Sequence, residues 1–307
     1  REHRALLQRV QQASGVPGHY LVAFWGLETN FGSYLGKMPL LGSLATLACD
    51  PRRADFFAAQ WLDAVRLLDR GDLTFDRLES SWAGALGHVQ FMPSVYLRYA
   101  QDGDGDGRVD LFGSVDDAMV SAGAFLQGLG WARGERWGRE VALPEGFDYS
   151  LAGRQNRRSL EAWEALGVRQ ADGAPLPAAD LEAALLVPSG HAGPAFLVYR
   201  NFDAIMGWNR SEFYALSVGI LADAIAGGAG LSTAPPADEL RLSMDQVSAL
   251  QRALVEGSHL TGAVDGLMGP ATRAALARAE ATLGLIADGH PDARTLAALG
   301  LDFSPQP

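Results

Sequence analysis

The amino-acid sequence predicts a mainly α-helical (α+β) protein: a large helical domain over residues 1–228 with a small β-containing part, and a small three-helix domain over residues 241–307. Three observations predict this. Apolar residues recur at helical spacing through most of the first 228 positions. Between about residues 141 and 200 that spacing gives way to short apolar runs broken by Gly and Pro, as in EVALPEGFDYSLAG and AALLVPSGHAGPAFLVY, which read as a few strands. The stretch AGGAGLSTAPPADEL then has the composition of a flexible linker, centred on residues 229–240, before helical periodicity resumes.

Residues 5–12 form the first expected helix, and Pro17 suits the N1 position of a second that runs to Glu28. Within it, FWGLETNFG sets one carboxylate, Glu28, among Phe24, Trp25 and Phe31. A helix C-terminus disfavours negative charge there, so the acid's pKa is expected to be raised. In LATLACDP the only cysteine, Cys49, falls on an apolar helix face and is expected to be buried. Residues 52–68 are strongly amphipathic, and Arg52 and Arg53 open that helix, where cations gain nothing from the dipole. A ligand carboxylate or plain solvation would account for the pair equally well.

SSWAGALGHVQFMPSVY is a Gly-rich turn ahead of a helix begun by Pro93. Ser81 and Gln90 offer hydrogen bonds there, Trp82 and Phe91 offer apolar faces, and packing of loop on helix is the competing reading. His88 has no carboxylate or serine partner in sequence and reads as structural, which disfavours a Ser-His-Asp hydrolase. Residues 116–129 and 211–226 are further helices. MGWNRSEFY joins Trp208, Asn209 and Tyr214: aromatic faces stack on sugar rings while amides bond their polar groups, with core packing as the alternative. Beyond the linker, Asp265-Gly266, Asp288-Gly289 and Gly269-Pro270 punctuate three short helices.

DGDGDGRVDLFGSVDD carries the sharpest local pattern. Asp102, Asp104 and Asp106 occupy positions 1, 3 and 5 of an EF-hand loop, Gly107 position 6 and Val109 position 8, with the Arg108 backbone carbonyl at position 7. Gly113 stands where the usual bidentate Glu would be, so Asp116 or Asp117 would have to close the site from the next helix. Hard oxygen ligands favour Ca²⁺ in a structural role; an acidic solvated turn is the alternative.

Composition bounds the rest. A net charge of −11 over 307 residues argues against a nucleic-acid surface, and no apolar run reaches the ~18 residues of a membrane span. The opening REHRALLQRVQQ reads as an amphipathic helix continuing something longer, not as a secretory leader. A single cysteine fits an intracellular protein or an exported bacterial one without bridges.

Taken together, WGLETNFG, DPRRADFF, SWAGALGHVQFMPSVY, DGDGDGRVDLF…DDA, LGW and NFDAIMGWN resemble, in order and spacing over about residues 3–228, the lytic murein transglycosylase B family of bacterial cell-wall enzymes. The resemblance implies a lysozyme-like core with added helical and small β-containing parts, and a calcium loop whose last ligand is Asp117. It places Glu28 at the catalytic acid and Arg52, Arg53, Ser81, Gln90, Phe125, Trp208, Asn209 and Tyr214 along a glycan cleft, with Phe125 and Trp208 where tyrosines are familiar. LQRALV, VDGLMGPATRAAL and LGLIADG resemble a small peptidoglycan-binding module, departing from it at Ala279-Glu280, where Phe-Gln is usual.

The cleft-forming motifs hold no second acid. A glycosidase normally uses two carboxylates, whereas a transglycosylase can let the sugar's own C6 hydroxyl attack C1, a high-effective-molarity step needing no activated water. The resemblance therefore implies a peptidoglycan-cleaving enzyme that leaves a 1,6-anhydro end. A muramidase-type hydrolase, a non-catalytic wall-binding protein and a calcium-regulated switch are the alternatives, the last disfavoured because a single loop lacks the usual partner loop. It further implies a periplasmic monomer acting on glycan strands, compatible with a membrane anchor on a full-length form and with other cell-wall enzymes as partners.

Overall fold

Leu6, Val10 and Ser14 recur every four residues, and that spacing gives helix α1 (Arg4–Ser14) a single buried stripe. The structure, a computed structural model, describes residues 2–75 and 78–303. Helix α2 (Gly18–Thr29) is apolar on more than one side, burying Tyr20, Leu21, Ala23 and Phe24. Pro17 is its N-cap rather than its first helical residue, with an extended ψ of 141°.

Strand β1 (Met38–Pro39) leads into α3 (Leu40–Ala48), and α4 (Ala54–Arg70) follows. Cys49 corrects the sequence expectation: it is exposed. The buried face of α3 is Leu40, Ser43 and Leu44, and Cys49 lies past it as the C-cap. Strand β2 (Glu79–Ser80) pairs antiparallel with β1, Met38 opposite Ser80. Helix α5 (Pro93–Tyr99) has proline at its start, where a missing N–H costs nothing. Helix α6 (Val115–Gly128) is capped by Ser114, whose Oγ accepts from the Asp117 amide.

The chain then turns to strands: β3 (Gly138–Ala142), β4 (Arg158–Ser159), the short helix α7 (Leu160–Ala165), β5 (Arg169–Gln170), β6 (Glu182–Leu186) and β7 (Ala195–Val198). They form one antiparallel sheet in the order β4-β6-β7-β3-β5. Trp163, Leu185, Leu197 and Tyr199 sit at the centre of its core. Helices α8 (Arg200–Trp208) and α9 (Glu212–Ile225) follow, the latter capped by Ser211. Last come α10 (Met244–Glu256), α11 (Pro270–Thr282) and α12 (Ala293–Ala298) around Leu250, Leu254, Ala275, Leu276 and Leu296. Glycines at positive φ, 72° at Gly266 and 71° at Gly289, make the two expected Asp-Gly turns.

Contacts group these elements into two units. The first is Arg1–Glu135 with Arg200–Ala229; the second is Arg136–Tyr199 with Gly230–Pro307. In the first, α2 packs on α9 and α1 on α6. The stretch after α9 is without helix or strand, as its composition predicts, but it is tethered: the Ser232 and Thr233 amides each donate to the Glu140 carboxylate at 2.7 Å. In the same unit the His191 amide donates to Asp288 at 2.7 Å.

Candidate active site

Helix α2 stops because three consecutive residues leave the right-handed region: Asn30, Phe31 and Gly32 have φ of 47°, 59° and 78°. Glu28 therefore sits in the last turn, one residue before the helix ends. Two donors meet its Oε1. The Trp208 indole N–H donates at 3.0 Å, and the Tyr214 hydroxyl donates to the same oxygen. Burial pushes the Glu28 pKa up, and those two bonds oppose the rise only in part. Burial and the facing carboxyl push the Tyr214 phenol up as well, so it stays a donor. With Oε1 accepting twice, the acidic proton belongs on Oε2.

The rings around Glu28 differ from the sequence expectation. Trp25 is turned to His88 and Phe31 is 52% exposed. The groups that touch the carboxyl come instead from α8 and α9, about 180 residues later. Trp208 is held in an aromatic stack, its centroid 4.4 Å from Phe24, 5.1 Å from Phe125 and 5.4 Å from Phe91. Phe125 is thus buried behind the indole, only 9% exposed, and backs Trp208 rather than presenting its own face.

The turn between β2 and α5 is built from its own backbone. Ser81 and Ala85 bond each other, with the Ser81 Oγ accepting from the Ala85 amide at 3.0 Å. Leu86 and Phe91 exchange amide bonds of 2.9 and 3.0 Å and close the loop at Gly87–Gln90. At Gly87 a Cβ would stand 2.4 Å from the Leu111 carbonyl oxygen, so only glycine fits. Gln90 holds a φ of 49°, uncommon for a non-glycine, and its amide donates to the Gly87 and Leu35 carbonyls. Trp82 stands 70% exposed beside Ser81. His88 is buried, and burial lowers its pKa, so the ring is neutral.

The remaining expected site residues make local contacts. Arg52 pairs with Asp50, whose pKa that guanidinium brings down to about 2. Arg53 lies over the Phe56 ring at 4.3 Å. Asn209 is exposed directly after Trp208, its Oδ1 accepting from the Ser211 amide at 3.2 Å.

In the acidic loop, Asp102, Asp104 and Asp106 bring carboxylate oxygens within 4.8 Å of one another. Gly105 and Gly107 take φ of 81° and 86° and let the backbone curl. Asp117 is outside that trio: its Oδ1 accepts from the Gly103 amide at 2.8 Å and its Oδ2 from the Asp110 amide at 2.7 Å, bracing both ends of the loop. An all-oxygen set of this kind fits a hard divalent cation.

Residues 1–223 match the Transglycosylase SLT domain family, and residues 243–299 match the putative peptidoglycan binding domain family. Membrane-bound lytic murein transglycosylase B of Escherichia coli (strain K12) is 32% identical over 232 residues, 73% of this chain and 61% of that protein. The chain thus spans about three-fifths of that relative's length. The crystal structure of SltB3 from Pseudomonas aeruginosa, in complex with NAG-anhNAM-pentapeptide, superposes with a TM-score of 0.94 at 44% identity, covering 97% of this chain and 80% of SltB3. The Escherichia coli lytic transglycosylase Slt35 in complex with calcium gives a TM-score of 0.65 at 30% identity over 73% of this chain and 71% of its own.

Proposed function

The chain belongs to the Transglycosylase SLT domain family, and on that premise we propose that it cleaves peptidoglycan as a lytic transglycosylase with Glu28 as its single acid and base. The observation that carries the reading is the two-donor grip on Glu28 Oε1 within a desolvated, helix-terminal setting. Burial raises the pKa of a carboxyl so placed above its ordinary value, with its proton on the open oxygen.

In the proposed reaction Oε2–H protonates the glycosidic oxygen between N-acetylmuramic acid and N-acetylglucosamine, and the C1–O bond breaks with positive charge developing at C1. The sugar's own acetamide oxygen would shelter that charge. The Trp208 and Tyr214 donors stabilise the carboxylate left behind, since hydrogen bonds to an ionised acceptor are the stronger ones. The carboxylate then takes the proton of the C6 hydroxyl, whose oxygen attacks C1 and closes the 1,6-anhydro ring. Attack from within the same sugar has a high effective molarity, so no water need be activated.

Ser81, Gln90 and Asn209 would orient acetamido and hydroxyl groups, Trp208 would stack with Phe125 behind it, and Arg52 and Arg53 would meet lactyl or peptide carboxylates. SltB3 was crystallised with NAG-anhNAM-pentapeptide, which supports the same product class here. Asp102, Asp104 and Asp106 would hold Ca²⁺ with the Arg108 carbonyl, and Asp117 would complete the set through lone pairs beyond those that take the Gly103 and Asp110 amides; the ion would rigidify the loop. Residues 243–299 would add a wall-binding module, and a protein acting on this substrate would work in the periplasm of the bacterial cell envelope, here as a monomer.

The test is digestion of purified murein with product masses recorded. Wild-type protein should release muropeptides one water lighter than hydrolytic products, and Glu28→Gln should release none while keeping its fold and wall binding. Products of hydrolytic mass would favour a muramidase; undiminished lysis by Glu28→Gln would remove Glu28 from the acid role.

A further inference from the structure

We propose that His88 is a positioning residue that locks the Glu28 end of α2 to the Gln90 turn by accepting a hydrogen bond from the Trp25 indole. The kinetic consequence rests on the transglycosylase reading above; the tie itself does not. The Trp25 Nε1–H donates to His88 Nδ1 at 3.0 Å, and the two rings meet edge to face with centroids 5.7 Å apart. An Nδ1 that accepts must carry a lone pair, so the imidazole proton lies on Nε2. Trp25 precedes Glu28 by three residues, which puts both side chains on one helix face.

A second tie runs beside the first. The Thr29 hydroxyl donates to the His88 carbonyl at 2.9 Å, and its oxygen accepts from the Gly32 amide at 3.0 Å. Residues on both sides of Glu28 are therefore held by His88, one through its ring and one through its backbone. The far side is fixed too, because the His88 amide donates to the Leu111 carbonyl at 2.9 Å. Gly32 makes room for the ring: a Cβ there would stand 2.1 Å from His88 Cε1. Two residues after His88 comes Gln90, so the acid and the amide of the cleft share one anchor.

A histidine that only filled space would be replaceable by any side chain of similar bulk. A histidine that acts as acceptor is replaceable by asparagine, whose Oδ1 takes the place of Nδ1, and not by leucine. His88→Asn, His88→Leu and Trp25→Phe separate the two roles, read by murein digestion kinetics and by the Trp25 indole N–H resonance in NMR spectra of ¹⁵N-labelled protein. A displaced acid lowers turnover, since misplacement of about 1 Å costs up to about a hundredfold in rate. His88→Leu and Trp25→Phe should therefore lose about tenfold or more in kcat with KM within about twofold. His88→Asn should stay within about threefold of wild type and keep a slowly exchanging Trp25 indole proton, which His88→Leu loses.

Wild-type kcat in His88→Leu, or a His88→Asn as slow as His88→Leu, overturns the proposal. Should His88→Leu fail to fold, Trp25→Phe carries the test, and wild-type kcat there overturns it. Wild-type protein that left murein uncut would sink the catalytic reading instead. The spectra would then decide the tie alone: an indole resonance that does not respond to His88→Leu refutes it.

Discussion

Glu280→Gln should stabilise the C-terminal helices, and more so as pH rises. Glu280 has no exposed surface, and its carboxylate accepts from the Gly289 amide at 2.8 Å and the Thr295 hydroxyl at 3.3 Å. Burial first, then the nearby Asp288 and Asp292, push its pKa from an ordinary 4.5 to about 7, against the pull of those two bonds. A carboxyl raised on folding contributes stability that is complete below pH 4.5 and lost as pH climbs through about 7. Above that point the difference amounts to at most about 3.4 kcal/mol. Salt screens the two aspartates, and glutamine gives up a charge-assisted bond from Gly289, so a net gain of about 1–2 kcal/mol is expected at pH 8. At pH 5 both proteins are mostly neutral there, and the gain should fall well below about 1 kcal/mol. Glutamine fits the geometry, its carbonyl taking the Gly289 amide and its NH₂ facing the Thr295 oxygen. Hydrogen exchange across α11 and α12 at pH 5 and pH 8, variant against wild type, reads the change directly. Equal protection in variant and wild type at pH 8, or the same gain at both pH values, would refute the reasoning.

Lysis should have an alkaline limb that falls as pH rises through the elevated pKa of Glu28, because the proton donor is lost there. Tyr214→Phe keeps the ring but removes a bond that favours the carboxylate, so that limb should move to higher pH in kcat/KM profiles; a move downward contradicts the assignment. Gly32→Ala must hold an alanine at φ 78° and displace the His88 ring, and should destabilise the first unit by about 2 kcal/mol or more in urea melts. Calcium should raise the melting temperature and chelation lower it, an effect that Asp104→Asn weakens; a melt that ignores the ion speaks against the loop as a cation site.

The helices were legible in the sequence because their signals are local. The stripe of α1, Pro93 at the head of α5 and Gly269-Pro270 before α11 each need only a turn or two of chain to act. Boundaries moved where a cap decided them: Ser211, read as the first residue of its helix, stands outside α9 to take an amide, and Ser114 starts α6 one residue earlier than the pattern suggests. Glu28 stood out as a solitary acid among rings, yet the rings that grip it were not the neighbouring ones. Trp208 and Tyr214 were legible as sugar-binding types, and their bonds to Glu28 were not, since nothing local in Phe24–Gly32 encodes a partner on α8 or α9. His88 read as structural for want of a carboxylate or serine partner; its partner is an indole 63 residues earlier. Cys49 was misread because a short apolar run does not say where its helix ends.

The first unit is written in two instalments, Arg1–Glu135 and then Arg200–Ala229, with the sheet strands translated between them. Glu28 is thus made long before α8 and α9, which carry the two groups that bond it. Both donors to Glu28 Oε1 are supplied by the second instalment alone, so the setting of the acid is complete only when the chain has been made through Tyr214.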